Sequence, residues 1–155
     1  MEIKVANKDD FKRIEPVLLE VEHHHVKLEP EIFRWVDAYD QNYFNHVIEN
    51  QNQAIFYAEI GREIAGVLIA IEKEYPPIPS YVGGMYVEVE ELSVTKRFRR
   101  MGVAKALMAH VETWAISRGC ATMQLSVWAR NTGAVEVYEK LGYRRKIIRY
   151  TKSLE

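Results

Sequence analysis

A chain of 155 residues with 48% hydrophobic and 28% charged side chains has the makeup of one soluble domain with a real core, expected to span residues 1–155. Its formal net charge of −1 offers no global field to nucleic acid or to an acidic membrane, so neither is expected as a partner. The one cysteine, Cys120, excludes an intrachain disulfide, and no apolar run reaches membrane-spanning length or forms a signal-peptide pattern, so the expected location is cytoplasmic.

Glu2 to Val5 reads as a short strand. Asn7 can cap a helix with Asp10 three residues on, and Phe11, Ile14, Leu18 and Val21 carry helical spacing that Pro16 should kink or delay. His23, His24 and His25 follow and read as a loop. Adjacent residues on a helix point about 100° apart, so the three cannot share one metal ion there, and no metal is expected. Pro30 suits the first turn of a second helix, whose stripe is Ile32, Phe33, Val36, Tyr43, Phe44, Val47 and Ile48.

Ala54–Ile60 and Glu63–Glu72 read as two strands turned through Gly61-Arg62, the second apolar enough to be covered on both faces. The Tyr75-Pro76-Pro77-Ile78-Pro79 run cannot continue a ladder and forms a loop. Tyr86 to Val94 is the next strand, and Val103, Leu107, Met108, Val111, Trp114 and Ala115 mark one face of a helix that stops at Gly119. Cys120, beside that stop, reads as a buried and inert thiol. Thr122–Val127 is a strand, Asn131 caps a helix closed by Gly142, and Tyr143–Thr151 is basic and strand-like. Strands in a meander followed by alternating strands and helices give an α/β fold with a mixed sheet and helices on both faces.

The stretch with the most chemistry is Arg99-Arg100-Met101-Gly102-Val103-Ala104, a basic turn leading into a helix. Unpaired N–H groups at a helix start, a glycine that admits close approach, and two fixed cations make a cradle for a pyrophosphate. A charged turn with no ligand is the other reading. The turn lacks the Lys-(Ser/Thr) of a nucleotide P-loop and the full Gly-x-Gly-x-x-Gly of a dinucleotide site.

Arg99-x-x-Gly102-x-Ala104 resembles the (Gln/Arg)-x-x-Gly-x-(Gly/Ala) signature of the GCN5-related N-acetyltransferases, the GNAT superfamily. Asn131-x-x-Ala134-x-x-x-Tyr138-x-x-x-Gly142-Tyr143 is similar to that family's second block, in its order and spacing. The resemblance implies a mostly antiparallel central sheet in which two parallel strands splay apart to admit the pantetheine of acetyl-CoA, the co-substrate. The main chain of Leu92, Ser93 and Val94 would hold that arm, and Arg99, Arg100, Met101, Gly102, Val103 and Ala104 the pyrophosphate. Asn131, already a helix cap, would add a pantetheine contact. Tyr138, otherwise a core residue, would protonate the departing thiolate.

The resemblance also implies a glutamate base on the strand before the cradle: Glu90 first, then Glu91, then Glu88. Alternation puts Glu88 and Glu90 on one face and Glu91 on the other, unless a bulge changes the phase. Solvated strand-edge charges are the alternative. The acidic excess favours a cationic acceptor: a small amine, a lysine side chain or a protein N-terminus. Phe33 or Tyr39, and one of the three histidines, are candidates for its wall. The implied activity is direct transfer of an acetyl group to a primary amine in a ternary complex, with a non-catalytic acyl-CoA-binding or sensing domain as the alternative. Relatives also form homodimers, which the resemblance extends to this chain.

Overall fold

The computed structural model describes residues 1–154. Five strands form one sheet in chain order: β1 (Glu2–Val5), β2 (Gln53–Ile60), β3 (Glu63–Glu74), β4 (Met85–Val94) and β5 (Thr122–Leu125). The first four are antiparallel neighbours, and β5 runs parallel to β4. Helices α1 (Phe11–Leu28) and α2 (Gln41–Glu49) cover one face; α3 (Val103–Ser117) packs on the other, and α4 (Thr132–Lys140) follows β5.

Two cores result. Phe11, Ile14, Leu18, Phe44 and Val47 meet Ile55, Tyr57, Val67 and Ile69 of the sheet. Val103, Leu107, Met108 and Val111 meet Phe56, Leu68, Val87 and Val89 from the opposite side, with Cys120 buried beside them. The unbroken apolar run Ala65–Ala70 feeds both cores, as a strand covered on both faces must.

Five expectations need correction. The capping box of Asn7 and Asp10 is present, but it caps a short 3-10 turn, Lys8–Asp10, and α1 then runs through Pro16 without a break. The histidines are on that helix, not in a loop. His23 stacks on Trp35 with ring centroids 3.5 Å apart, and His25 on Phe33 at 5.1 Å, so the helix end is propped by aromatic contacts that local pattern cannot reveal.

No helix starts at Pro30. Ile32 and Trp35 are exposed, and α2 begins only after Asp40, whose carboxylate accepts the N–H groups of Asn42 and Tyr43. The segment of residues 29–40 is an irregular strap between α1 and α2. The fourth correction concerns Tyr143–Thr151, which is not a strand. The sheet of the described residues ends at β5, the described residues form no strand beyond it, and Ile147, Ile148 and Tyr150 lie exposed. Strand β5 also stops at Leu125 instead of Val127.

Candidate active site

The register of β4 places the site. Tyr86 to Val89 pair with Thr122 to Leu125 of β5, and the pairing stops there. From Glu90 to Val94 only the β3 side of β4 is paired, so its other edge leaves backbone donors and acceptors open where the two parallel strands part. Leu92, Ser93 and Val94 lie on that open stretch. The Ser93 side chain is committed elsewhere: its hydroxyl donates to the Val17 carbonyl at 3.0 Å and ties β4 to α1. Only the main chain of Ser93 is left for a ligand.

A bulge interrupts β4 at Glu90. Ala70 pairs with Val89 and the next residue back, Ile69, pairs with Glu91. One extra residue reverses the alternation. Val87 and Val89 face α3, and so do Leu92 and Val94 beyond the bulge. Glu91, opposite Ile69, therefore turns to the α1–α2 face, which Glu88 shares. Straight alternation predicts the opposite side for Glu91.

On that face lies a cavity of about 430 Å³, lined by Glu22, Tyr39, Asp40, Tyr43, Glu90 and Glu91 among others. Tyr43 donates its phenol to the Glu90 carboxylate. Glu91 accepts the N–H of its neighbour Leu92 at 3.0 Å. Burial pushes the Glu91 carboxyl up to about 8, helped by the charges of Glu22 and Glu90 and resisted by the Leu92 hydrogen bond. The residue keeps some surface open to the cavity although its carboxyl is desolvated. Glu88 is taken by an ion pair with Lys73. Tyr39 and Tyr43 were sequence candidates for the wall or the core; Glu22 and Asp40 carried no signal, because only the packing of α1 and the strap against β4 brings them here.

Tyr138, on α4, packs half-buried against the α3 core. Burial lifts its phenol to about 12, and the charge of Glu91 adds to the rise. The phenol thus keeps its proton at any physiological pH. Phe33 does not line that cavity; it stands edge-on to Trp128 with centroids 5.5 Å apart, joining the strap to the loop after β5. The three histidines are likewise absent from its lining, and among the described residues no group of acidic, histidine or cysteine side chains could hold a metal ion.

The cradle is built from backbone. Gly102, the residue before α3, has φ +80°, and Arg100 has φ +63°, a left-handed conformation that a non-glycine residue adopts only under constraint. No side chain caps α3, so the first N–H groups of Val103, Ala104 and Lys105 stay open. The Arg99 guanidinium donates to the Val94 carbonyl at 3.1 Å, fastening the turn to the end of β4. Gly66 on β3 sets how close the pieces come. A Cβ there would lie 2.8 Å from the Ser93 carbonyl oxygen and 2.8 Å from the Val103 side chain. Asn131 caps α4, accepting the Ala134 N–H at 3.2 Å. A larger open groove, about 890 Å³, lies between α1 and the end of β4, lined by Arg13, Glu20, Arg62 and Lys96 among others. It contains neither the phenols nor Glu91, so chemistry and not volume selects the site.

The site thus combines an open strand edge, a left-handed glycine turn into a helix, an acidic cavity and a half-buried phenol. Residues 18–143 match the model of the acetyltransferase (GNAT) family, and the chain belongs to that family. A Caenorhabditis elegans protein named thialysine N-epsilon-acetyltransferase is 31% identical over 96 residues, covering 62% of this chain and 57% of its own length. The chain thus spans little more than half of that curated relative. A mutant of the Bacillus halodurans BH1408 protein superposes with TM-score 0.95 at 18% identity, covering 100% of both chains. An aminoglycoside N-acetyltransferase in complex with CoA superposes with TM-score 0.68 at 22% identity over 98% of this chain and 99% of its own. These two structural likenesses establish the fold.

Proposed function

We propose that the protein is an N-acetyltransferase that moves the acetyl group of acetyl-CoA to a cationic primary amine by direct attack in a ternary complex. The observation that carries this reading is the bulge at Glu90, which turns Glu91 into an acidic cavity and within electrostatic reach of Tyr138. Family membership and the relatives named for amine acetylation support it.

The residues fit the co-substrate. The open edge of Leu92 to Val94 can pair with the amide groups of a pantetheine arm. The turn from Arg99 to Ala104 presents uncapped N–H groups and two guanidinium groups to a diphosphate, and Gly66 lets α3 approach β4 closely enough to join the two parts. Asn131, fixed as a cap, lies at the start of α4 beyond the splay and can reach the same arm.

Acetyl-CoA supplies an activated thioester. An aliphatic ammonium of pKa about 10.4 must lose a proton before it can attack. Glu91, with its pKa raised to about 8, is better matched to take that proton than an ordinary carboxylate. Main-chain N–H groups near Val94 stabilise charge on the acetyl oxygen. Tyr138 holds its proton for the departing sulfur. Glu90, held by Tyr43, shapes the acceptor side.

The test is free-thiol release from acetyl-CoA with a panel of amines. Release with cationic amines, lost in Tyr138→Phe while acetyl-CoA still binds, establishes the reaction. Saturable acetyl-CoA binding with no release from any amine or peptide would replace it with a CoA-binding role.

A further inference from the structure

Helix α1 is fastened to β4 near its middle. The Val17 carbonyl accepts the Ser93 hydroxyl at 3.0 Å, and the Glu20 carboxylate accepts the N–H of Lys96, just past the end of the strand, at 3.2 Å. The last residue of α1, Leu28, meets the other side of the parted strands. There the Arg130 guanidinium donates to the Leu28 carbonyl at 3.2 Å and stands 3.7 Å from the Glu29 carboxylate. A helix end leaves such carbonyls without backbone partners and carries partial negative charge, which a cation complements. A second tie lies beside the first. Trp128 meets Phe33 of the strap edge-on, and Phe33 stacks on His25 in the last turn of α1. Helix α1 is thus a brace from β4 to the turn beyond β5.

That turn forms the far wall of the open edge. After Leu125 the chain leaves the sheet, so residues 126–131 stand across the gap from the open stretch of β4. The Asn131 N–H donates to the Trp128 carbonyl at 2.8 Å, and the Asn131 side chain caps α4. Trp128, Arg130 and Asn131 therefore form one unit. Helix α4 anchors that unit weakly, since none of its residues is fully buried. The Arg130 side chain is 63% exposed, so its ion pair adds little to stability.

We propose that Arg130 is a positioning residue for the acyl donor. It ties the turn before α4 to the end of α1, with the Phe33–Trp128 contact beside it, and so sets the width of the gap and holds Asn131 at the pantetheine arm. This rests on the acetyl-CoA reading of the site. Arg130 acts through the brace and not on the reacting atoms. An arm that enters a gap of fixed width binds without the cost of ordering its walls. The diphosphate end of the donor meets the turn from Arg99 to Ala104, which is fastened separately to Val94 and does not sense the brace.

The test is calorimetric titration with CoA and with 3′-phospho-ADP, which keeps the diphosphate of CoA and lacks its arm. Wild type is compared with Arg130→Ala, Arg130→Lys and Phe33→Ala/Arg130→Ala, the last cutting both ties from opposite walls. Lys140→Ala, which removes an exposed ion pair with Glu136 on α4, is the control. The Kd for CoA should rise about fivefold in Arg130→Ala and at least about tenfold in the double variant. The Kd for 3′-phospho-ADP should stay at its wild-type value in both, and the Tm of Arg130→Ala should match wild type. Arg130→Lys, which can still donate to the Leu28 carbonyl, should recover most of the loss, and Lys140→Ala should show none. Unchanged CoA affinity in the double variant overturns the proposal. So does an equal loss for both ligands, which would mark a general effect on the fold. A wild type that binds 3′-phospho-ADP as tightly as CoA overturns it as well, because the arm then contributes nothing. A wild type that binds neither ligand refutes the acetyl-CoA reading itself, and the proposal with it.

Discussion

The two faces of the sheet build their halves of the site by different means. On the α3 face the cradle is backbone: an open strand edge, two left-handed residues and a helix start, all within the continuous stretch from Leu92 to Ala104. On the α1–α2 face the cavity is made of side chains from four separated places: Glu22 on α1, Tyr39 in the strap, Tyr43 on α2, and Glu90 and Glu91 on β4. A backbone site is specified by local sequence and tolerates side-chain change. A side-chain site depends on packing, and each of its members can be lost alone. Under the proposed reading, that contrast lets one fold keep its acyl donor while its acceptor varies.

The largest break in this comparison should come from Glu91→Gln, which removes the proposed base and should lower kcat/KM on the order of 10² to 10⁴-fold with acetyl-CoA affinity retained. The same variant has a stability signature of known sign. The folded state holds the Glu91 proton up to about pH 8, whereas an ordinary glutamate releases it near 4.5. Folded protein thus binds more protons between those values, and wild-type stability falls as pH rises through that window. The Tm advantage of Glu91→Gln over wild type should grow up to about pH 8 and then level off, as a thermal-denaturation series would record.

Tyr138→Phe comes next, with an expected loss on the order of 10²-fold in kcat and little change in acetyl-CoA binding by calorimetry. Gly66→Ala attacks the other half. The added methyl meets the Ser93 carbonyl oxygen and Val103, so denaturant titration should show a loss of roughly 1–3 kcal/mol, and acetyl-CoA affinity should fall with it. The smallest effect is expected from Asp40→Ala, which uncaps α2 at a cost of about 1 kcal/mol and loosens the acceptor wall without touching the cradle.

The two halves were also unequally legible. The strand–turn–helix from Tyr86 through Ala115, its glycine turn and the Asn131 cap could be read from spacing and from family motifs, because each feature lies within a few residues of its cause. Glu91 could be named but not placed: whether it faces α1 or α3 depends on one bulge, and a bulge has no reliable sequence mark when the extra residue is an ordinary glutamate. Glu22 was invisible, since nothing on an amphipathic helix tells which half-buried acid will face a strand almost seventy positions later. The strap of residues 29–40 misled because Ile32, Phe33 and Val36 have helical spacing; Trp35 and Phe33 instead stack on His23 and His25, and Phe33 meets Trp128 edge-on. Tyr143–Thr151 has strand composition, yet the described residues form no strand there and Ile147, Ile148 and Tyr150 lie exposed.

The most direct test of the account is the pH dependence of kcat/KM for thiol release with a cationic amine, in wild type, Glu90→Gln and Glu91→Gln. The account predicts a rise with an apparent pKa near 8 in wild type and in Glu90→Gln, and its disappearance in Glu91→Gln. A rise that persists in Glu91→Gln and vanishes in Glu90→Gln would contradict it, and would make the bulged residue itself the base.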